Sequence, residues 1–195
     1  MTTTPAQLWL IRHGETQWSL SGQHTSRTDI PLTDFGKKRA VVIGEFLKGQ
    51  AFSLVLSSPR QRALETCRIA GFGDQAQIDD NLREWDYGTY EGRTTADIRK
   101  QQPGWTIWDA TPSGGESLDE VGVRCRQVID RALAAGGAVA LFSHAHLLRI
   151  LAATWLGLPP KNGQLFALQT GSVSQVGFER ETRVIQHWNR SFETK

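Results

Sequence analysis

The feature that most constrains this chain is an apolar run at residues 8–11 that ends in Arg12, His13 and Gly14. Consecutive apolar residues are typical of a strand buried on both faces of a parallel sheet. In such sheets ligands bind beyond the carboxyl ends of the strands, where Arg12 and His13 would lie. Gly14 would allow a sharp turn and a close backbone approach to a ligand. The run predicts an anion site, and the alternative is a strand end with two solvated polar residues.

A second apolar run, at residues 138–142, ends in Ser143, His144, Ala145 and His146. Because the carboxyl ends of parallel strands share one edge of a sheet, neighbouring strands would bring His13 and His144 together. A zinc site at His144 and His146 is the alternative. No cysteine or carboxylate completes a zinc ligand set at the usual spacing, so we expect no metal.

Strand-like and helix-like segments alternate along the rest of the chain. This alternation predicts an α/β fold, a three-layer α/β/α sandwich whose mostly parallel sheet carries an antiparallel edge hairpin strand. We expect one domain over residues 1–195, with residues 15–31 as a long polar connection. Further strands are predicted at residues 52–56, 77–79, 173–178 and 184–188.

Helix signals lie between these strands. Thr33 is predicted to cap one helix, and Ser117 with Glu120 forms a capping box that opens another. Further helices are predicted near residues 96–100 and from the residue after His146 to Leu156.

The helix after the second strand carries two arginines near its start. Ser58 is predicted as its N-cap and Pro59 as its first residue, which places Arg60 and Arg62 in the first turn. A helix dipole disfavours cations there, whereas a bound phosphate would reverse that effect. The alternative is that both arginines point into solvent.

The composition argues against several classes of partner. The net charge is only +2 over 195 residues, which favours neither nucleic acid nor a membrane surface. Cys67 and Cys125 fall at apolar helix positions, as expected of free thiols in a reducing compartment, and the N-terminus lacks a signal-peptide pattern. We therefore expect a cytoplasmic protein, and the sequence leaves its oligomeric state open, a homo-oligomer included.

The predicted groups suit one kind of chemistry. Arginines bind phosphate through paired hydrogen bonds, and a neutral histidine can attack phosphorus. Glu84 could give a proton to the leaving alkoxide and later take one from water, so no cofactor is needed. His24, His146 and His187 are interpreted as ordinary surface or loop residues, although His24 lies in a loop facing the predicted site.

Four sequence blocks carry a family resemblance over nearly the whole chain. They resemble the histidine phosphatase superfamily, the phosphoglycerate-mutase-like fold. The blocks are residues 10–16 with Arg-His-Gly, residues 57–66, residues 82–88 and residues 143–146, and the turn at residues 114–117 is also similar.

The resemblance implies a role for individual residues. It makes His13 the phosphorylated nucleophile, Glu84 the proton donor, and Arg12, Arg60 and His144 the pocket for the transferred phosphoryl group. Ser19 stands where relatives often have asparagine, and Ala145 replaces the usual glycine. The resemblance also implies substrate contacts for the remaining positions, Thr25, Ser26 and Tyr87.

Residues 92–115 form a short excursion with only two arginines, Arg93 and Arg99, whereas true mutases carry an arginine-rich insertion there. The resemblance thus favours hydrolysis of a small phosphorylated metabolite, a sugar phosphate or bisphosphate, and it is closest to the fungal sedoheptulose-bisphosphatase-like branch. A mutase and a non-catalytic phospho-ligand-binding domain are the alternatives. A bisphosphate would need a second anion site, for which the candidates are Arg27, Arg83, Arg93 and Lys100.

Overall fold

A computed structural model describes residues 6–193 and shows a sheet of six strands in the order β3-β2-β4-β1-β5-β6. Strands β1 to β4 are parallel, β5 is antiparallel to β1, and β5 and β6 form the predicted hairpin, with β6 at the edge. The strands are β1 (Gln7–Arg12), β2 (Leu54–Ser57), β3 (Ala76–Ile78), β4 (Ala138–Ser143), β5 (Val173–Glu179) and β6 (Thr182–Arg190).

Helices cover both faces of this sheet. The helices are α1 (Gln17–Ser21), α2 (Asp34–Leu47), α3 (Gln61–Ile69), α4 (Thr95–Gln101), α5 (Leu118–Ala135) and α6 (Ala145–Trp155). Short 3₁₀ segments lie at Gly73–Gln75, Asp80–Leu82, Gly88–Tyr90 and Pro160–Leu165. The predicted three-layer α/β/α class is confirmed.

The alternation of side chains along β1 explains the two layers. Leu8 and Leu10 face a core that also contains apolar residues of α5, α6 and the excursion. Ile11 faces the opposite core, formed with Ile43 of α2 and Cys67 of α3. Because each strand residue points to the face opposite its neighbour, a fully apolar strand is stable only when both faces are covered.

The predicted start of α3 is wrong by two residues. The N-cap is Arg60, which makes no side-chain cap hydrogen bond, and the helix begins at Gln61. Ser58 does not cap the helix because its hydroxyl lies 2.7 Å from Nε2 of His144 and accepts the backbone N–H of Arg60 at 3.3 Å. The Ser58 side chain instead connects the end of β2 to the end of β4.

The polar connection at residues 15–31 contains more regular structure than predicted. Thr16 and Ser19 form a reciprocal capping box that opens α1, which ends at Gly22. The caps predicted at Thr33 and Ser117 are confirmed. Within residues 6–193, no helix combines the length and the apolar character that crossing a bilayer requires.

Candidate active site

Strands β1 and β4 are neighbours, and this pairing brings the two predicted histidines together. Arg12 pairs with Ser143 in the parallel register, so His13 and His144 follow at the same edge of the sheet. Their ring centroids are 5.2 Å apart, and both residues are at least 94 % buried, with exposures of 6 % and 0 %. The predicted convergence of these residues from distant parts of the chain is present.

Gly14 serves packing in the turn after β1. A Cβ atom at Gly14 would lie 2.5 Å from the carbonyl oxygen of Gly36 in α2, so glycine is required here by the helix rather than by a ligand. The Gly14 N–H donates to Oγ1 of Thr66 at 3.0 Å, which ties the turn to α3. The backbone that carries His13 is thereby fixed between two helices.

The His13 ring is held in one tautomer. Its Nδ1 lies 2.7 Å from the carbonyl oxygen of Gly14, and a carbonyl can only accept, so Nδ1 carries the proton. Burial, followed by the charges of Arg62 and Arg12, holds the pKa of His13 well below 6.5. The ring is therefore neutral near pH 7, with a free lone pair on Nε2 that can act as a nucleophile.

Arg62 is the fully buried arginine beside the two histidines, with an exposure of 0 %. Its Nη1 donates to the carbonyl of Thr28 at 3.2 Å and its Nη2 to that of Thr25 at 3.1 Å. Burial is the largest cause of the lowered pKa values of His13 and His144, and the positive charge of Arg62 is the second largest. Arg62 therefore lies beside both histidines and also fixes the loop at residues 25–28.

Arg60, the arginine predicted for the pocket, lies at the N-cap of α3 and is half-buried. Its charge also lowers the pKa of His144, after those of Arg62, His13 and Arg12. Sequence reasoning placed Arg62 in the first turn but left it out of the site. The signal was available, because Arg62 shares the inward helix face with Ala63 and Thr66.

Several buried polar atoms of the arginines and histidines in this region have no partner in the described part of the chain. They are the Nε atoms of Arg12, Arg60 and Arg62 and Nδ1 of His144. Buried polar groups are nearly always hydrogen-bonded, so this group of polar atoms, in which the three arginine nitrogens are donors, calls for a ligand. A tetrahedral oxyanion supplies several acceptor oxygens together with negative charge. We call Arg12, His13, Arg62 and His144 the basic cluster.

Glu84 is fixed by backbone amides from two directions. Its carboxylate accepts the N–H groups of Trp85 at 3.0 Å, Leu147 at 2.9 Å and His146 at 3.2 Å. The last two belong to the first turn of α6, whose N-cap, His144, makes no side-chain cap. Glu84 thus caps α6 from another part of the chain, which sets its carboxylate at the cavity that His13 also lines.

A cavity of about 200 Å³ is lined by Arg12 and His13 of the cluster, whereas Arg60, Arg62 and His144 are not among its lining residues. This volume is small beside the roughly 300–1,000 Å³ of sites for drug-sized ligands, so the cavity suits a small metabolite. Of the predicted site residues, those that line it are Arg12, His13, Ser19, Thr25, Glu84, Tyr87 and Ala145. Ser26 lies behind this lining, with its N–H donating to the Glu91 carboxylate at 2.9 Å.

His24 and His146 also line this cavity, which corrects their interpretation as ordinary surface or loop residues. His146 Nδ1 lies 2.6 Å from the hydroxyl of Tyr87, whereas His144 bonds to Ser58. His144 and His146, the two histidines considered as a zinc pair, therefore make hydrogen bonds to different partners. We call Trp18, His24, Thr25, Tyr87 and His146 the outer wall. Behind it pack Trp85, Trp105 and Trp108, whose clustering near polar residues in the sequence indicates either a pocket wall or core packing.

The candidates for a second anion site are engaged elsewhere. Arg27 pairs with Asp86 at 2.6 Å, and Lys100 pairs with Asp97 at 2.7 Å. Arg93 donates to Gln101 at 2.8 Å, and Arg83 donates to the carbonyl of Asp80 at 3.0 Å. The described residues that line the cavity include none of these four side chains.

An α/β sheet with a histidine-and-arginine cluster at the carboxyl ends of its strands defines a class of phosphate-binding proteins. Within that class the comparison with known proteins is specific. The family model described as "Histidine phosphatase superfamily (branch 1)" matches residues 8–191. The chain belongs to the histidine phosphatase superfamily.

Individual relatives agree with this membership. The chain is 38 % identical to an acid phosphatase of Mycobacterium tuberculosis over 91 % of this chain and 89 % of the relative. It is 34 % identical to sedoheptulose 1,7-bisphosphatase of Saccharomyces cerevisiae, over 76 % and 67 %. The solved structure of mycobacterial glucosyl-3-phosphoglycerate phosphatase with VO3 superimposes with a TM-score of 0.86 at 28 % identity, covering 95 % of this chain and 100 % of that one.

Proposed function

We propose that this protein is a phosphomonoesterase that hydrolyses a small phosphorylated metabolite, a sugar phosphate or bisphosphate, through a phosphohistidine on His13. The observation that carries the proposal is the set of unpartnered guanidinium and imidazole nitrogens grouped around a neutral His13. Such a set provides charge, donors and a nucleophile for a phosphate dianion.

In the first step, Nε2 of His13 attacks phosphorus and the ester P–O bond breaks. The guanidinium groups of Arg12 and Arg62 neutralise the charge that spreads over the equatorial oxygens. The carboxyl group of Glu84 gives its proton to the leaving alkoxide, and the alcohol departs. The Nδ1–H bond to Gly14 stabilises the ring as it becomes positively charged.

In the second step, water attacks phosphorus from the side that the alcohol left. The Glu84 carboxylate accepts the proton of that water, the P–N bond breaks, and the electron pair returns to Nε2 of His13. Phosphate and the original protein result, so the cycle needs no cofactor. The same carboxyl group serves both steps because it faces the same side of the cavity throughout.

Hydrolysis is favoured over phosphoryl transfer between two positions of one substrate. The excursion at residues 92–115 holds both of its arginines away from the cavity, Arg93 on Gln101 and Arg99 on the carbonyl of Trp105. Neither of these two arginines is placed to retain a partly reacted phosphorylated intermediate, which favours attack of water on the phosphohistidine.

A turnover screen tests the proposal directly. Sugar phosphates, sugar bisphosphates and phosphoglycerates would be incubated with the protein, each with and without a priming bisphosphate. Release of inorganic phosphate without priming is expected. Isomerisation of phosphoglycerate that depends on priming would instead identify a mutase, and binding of esters without turnover would identify a non-catalytic phospho-ligand-binding domain.

A further inference from the structure

His24 of the outer wall is held in one orientation by the backbone and by two aromatic rings. Its N–H donates to the carbonyl of Arg93 at 3.0 Å, and its carbonyl accepts the N–H of Gly92 at 2.8 Å. The ring meets Tyr87 and Trp105 edge-on, at centroid distances of 4.9 and 5.4 Å. The excursion at residues 92–115, which includes Trp105, thus holds the His24 side chain at the cavity.

The hydrogen bond of the ring determines which nitrogen is protonated. Nδ1 lies 2.9 Å from the carbonyl oxygen of Arg93, which can only accept, so Nδ1 carries the proton. Burial lowers the pKa of His24 below 6.5, and the ring is neutral near pH 7. The lone pair of Nε2 is then free to accept a hydrogen bond.

That acceptor is unused by the described part of the chain. The residue is 8 % exposed, its ring lines the cavity, and Nδ1 accounts for its side-chain hydrogen bond. The neighbouring hydroxyl of Thr25 donates to the carbonyl of Gln23 at 3.0 Å, so it does not serve Nε2. The donor for Nε2 must come from what enters the cavity.

The chemistry of a neutral Nε2 selects its partner. A lone pair attracts a hydroxyl proton and repels the oxygens of a carboxylate or a second phosphate. We propose that His24 is a specificity-determining residue whose Nε2 accepts a hydrogen bond from a hydroxyl of the leaving group, so that the substrates are phosphate esters of sugars or other polyols. This inference rests on the proposed phosphatase function and adds a substrate contact to it.

The test compares two esters of matched size, glycerol 3-phosphate and propyl phosphate, of which only the first carries hydroxyls on its leaving group. Wild type is compared with His24→Phe, which keeps a planar ring and lacks the acceptor, and with His24→Gln, which restores an acceptor. His187→Phe, at an exposed position on β6, is the matched control.

For His24→Phe, kcat/KM for glycerol 3-phosphate should fall about tenfold relative to kcat/KM for propyl phosphate, which is the effect of one neutral hydrogen bond. His24→Gln should recover part of this ratio, and His187→Phe should leave it unchanged.

An unchanged ratio in His24→Phe, or an equal loss on both esters, would overturn the inference while the phosphatase function stands. Hydrolysis of neither ester, nor of any other phosphomonoester, by wild type would overturn the proposed function and this inference with it.

Discussion

The outer wall and two members of the basic cluster, Arg12 and His13, line one cavity, yet the cluster and the wall are built differently. The cluster stands at the ends of β1 and β4 and on α3, all of them regular elements with buried apolar faces. The outer wall comes from the short helix α1 and the turn after it, the turns around residues 84–94 and the start of α6. The comparison indicates that the rigid half positions the phosphorus chemistry, while the irregular half can vary in the leaving group it accepts.

Loss of the nucleophile should have the largest effect. His13→Ala is expected to lower kcat on every ester by about 10⁴-fold or more, because the covalent route disappears. Phosphate release by the variant would be compared with wild type at equal folded concentration, checked by thermal melting. Substantial turnover by His13→Ala would mean that the basic cluster binds phosphate without reacting covalently.

Replacing the two arginines at the start of α3 should lower kcat/KM by different amounts. Arg62→Lys should lower kcat/KM by about 10²-fold or more, because the buried guanidinium loses its forked geometry. Arg60→Lys, the matched change at a half-buried cap, should cost less than about tenfold. Steady-state kinetics with one ester would compare them, and an equal or larger loss in Arg60→Lys would move Arg60 to the centre of the cluster.

Glu84 belongs to neither the basic cluster nor the outer wall, but it lines the same cavity, and the size of its effect should depend on the leaving group. Glu84→Gln should slow an alkyl phosphate by about 10²-fold, because a poor leaving group needs a proton. An activated aryl phosphate should be slowed far less. The ratio of the two rates is the readout, and equal slowing of both esters would remove Glu84 from the acid role.

The smallest expected effect is a decrease in the stability of the fold as the pH falls. Burial holds the pKa values of His13, His144 and His146 well below 6.5 in the folded state. The unfolded chain therefore binds more protons as the pH falls below about 6.5, so stability that is present above this pH is lost below it. The melting temperature should drop on acidification, and by a smaller amount in His146→Gln.

His187→Gln is the control for that comparison, because its side chain is exposed on β6. It should reproduce the pH dependence of wild type. A melting temperature that is flat from pH 7.5 to 5.5 in wild type would contradict neutral burial of these histidines.

The contrast between the basic cluster and the outer wall also explains which parts of the site could be predicted from the sequence. Apolar runs ending in Arg12-His13 and in His144 predicted the neighbouring strands and the meeting of the two rings, because parallel strands share an edge. Arg62 was passed over because a charged residue is rarely fully buried, and its inward position follows only from the helix register.

The outer wall could not be predicted in this way. His24 reaches the cavity through backbone pairing with residues 92–94, a contact between two irregular segments that no periodicity encodes. The start of α3 was misplaced for a related reason, since the hydroxyl of Ser58 was taken by His144 from a distant strand. Local patterns do not report competition from long-range partners.

The most direct test of the account is chemical trapping of the covalent intermediate. Wild-type protein would be mixed with a ³²P-labelled phosphate ester, quenched in alkali, where phosphohistidine is stable, and digested to locate the label. Label on the peptide that contains His13, and its absence from His13→Ala, is the predicted result. Rapid turnover of the ester with no label on His13 at any quench time would contradict the account.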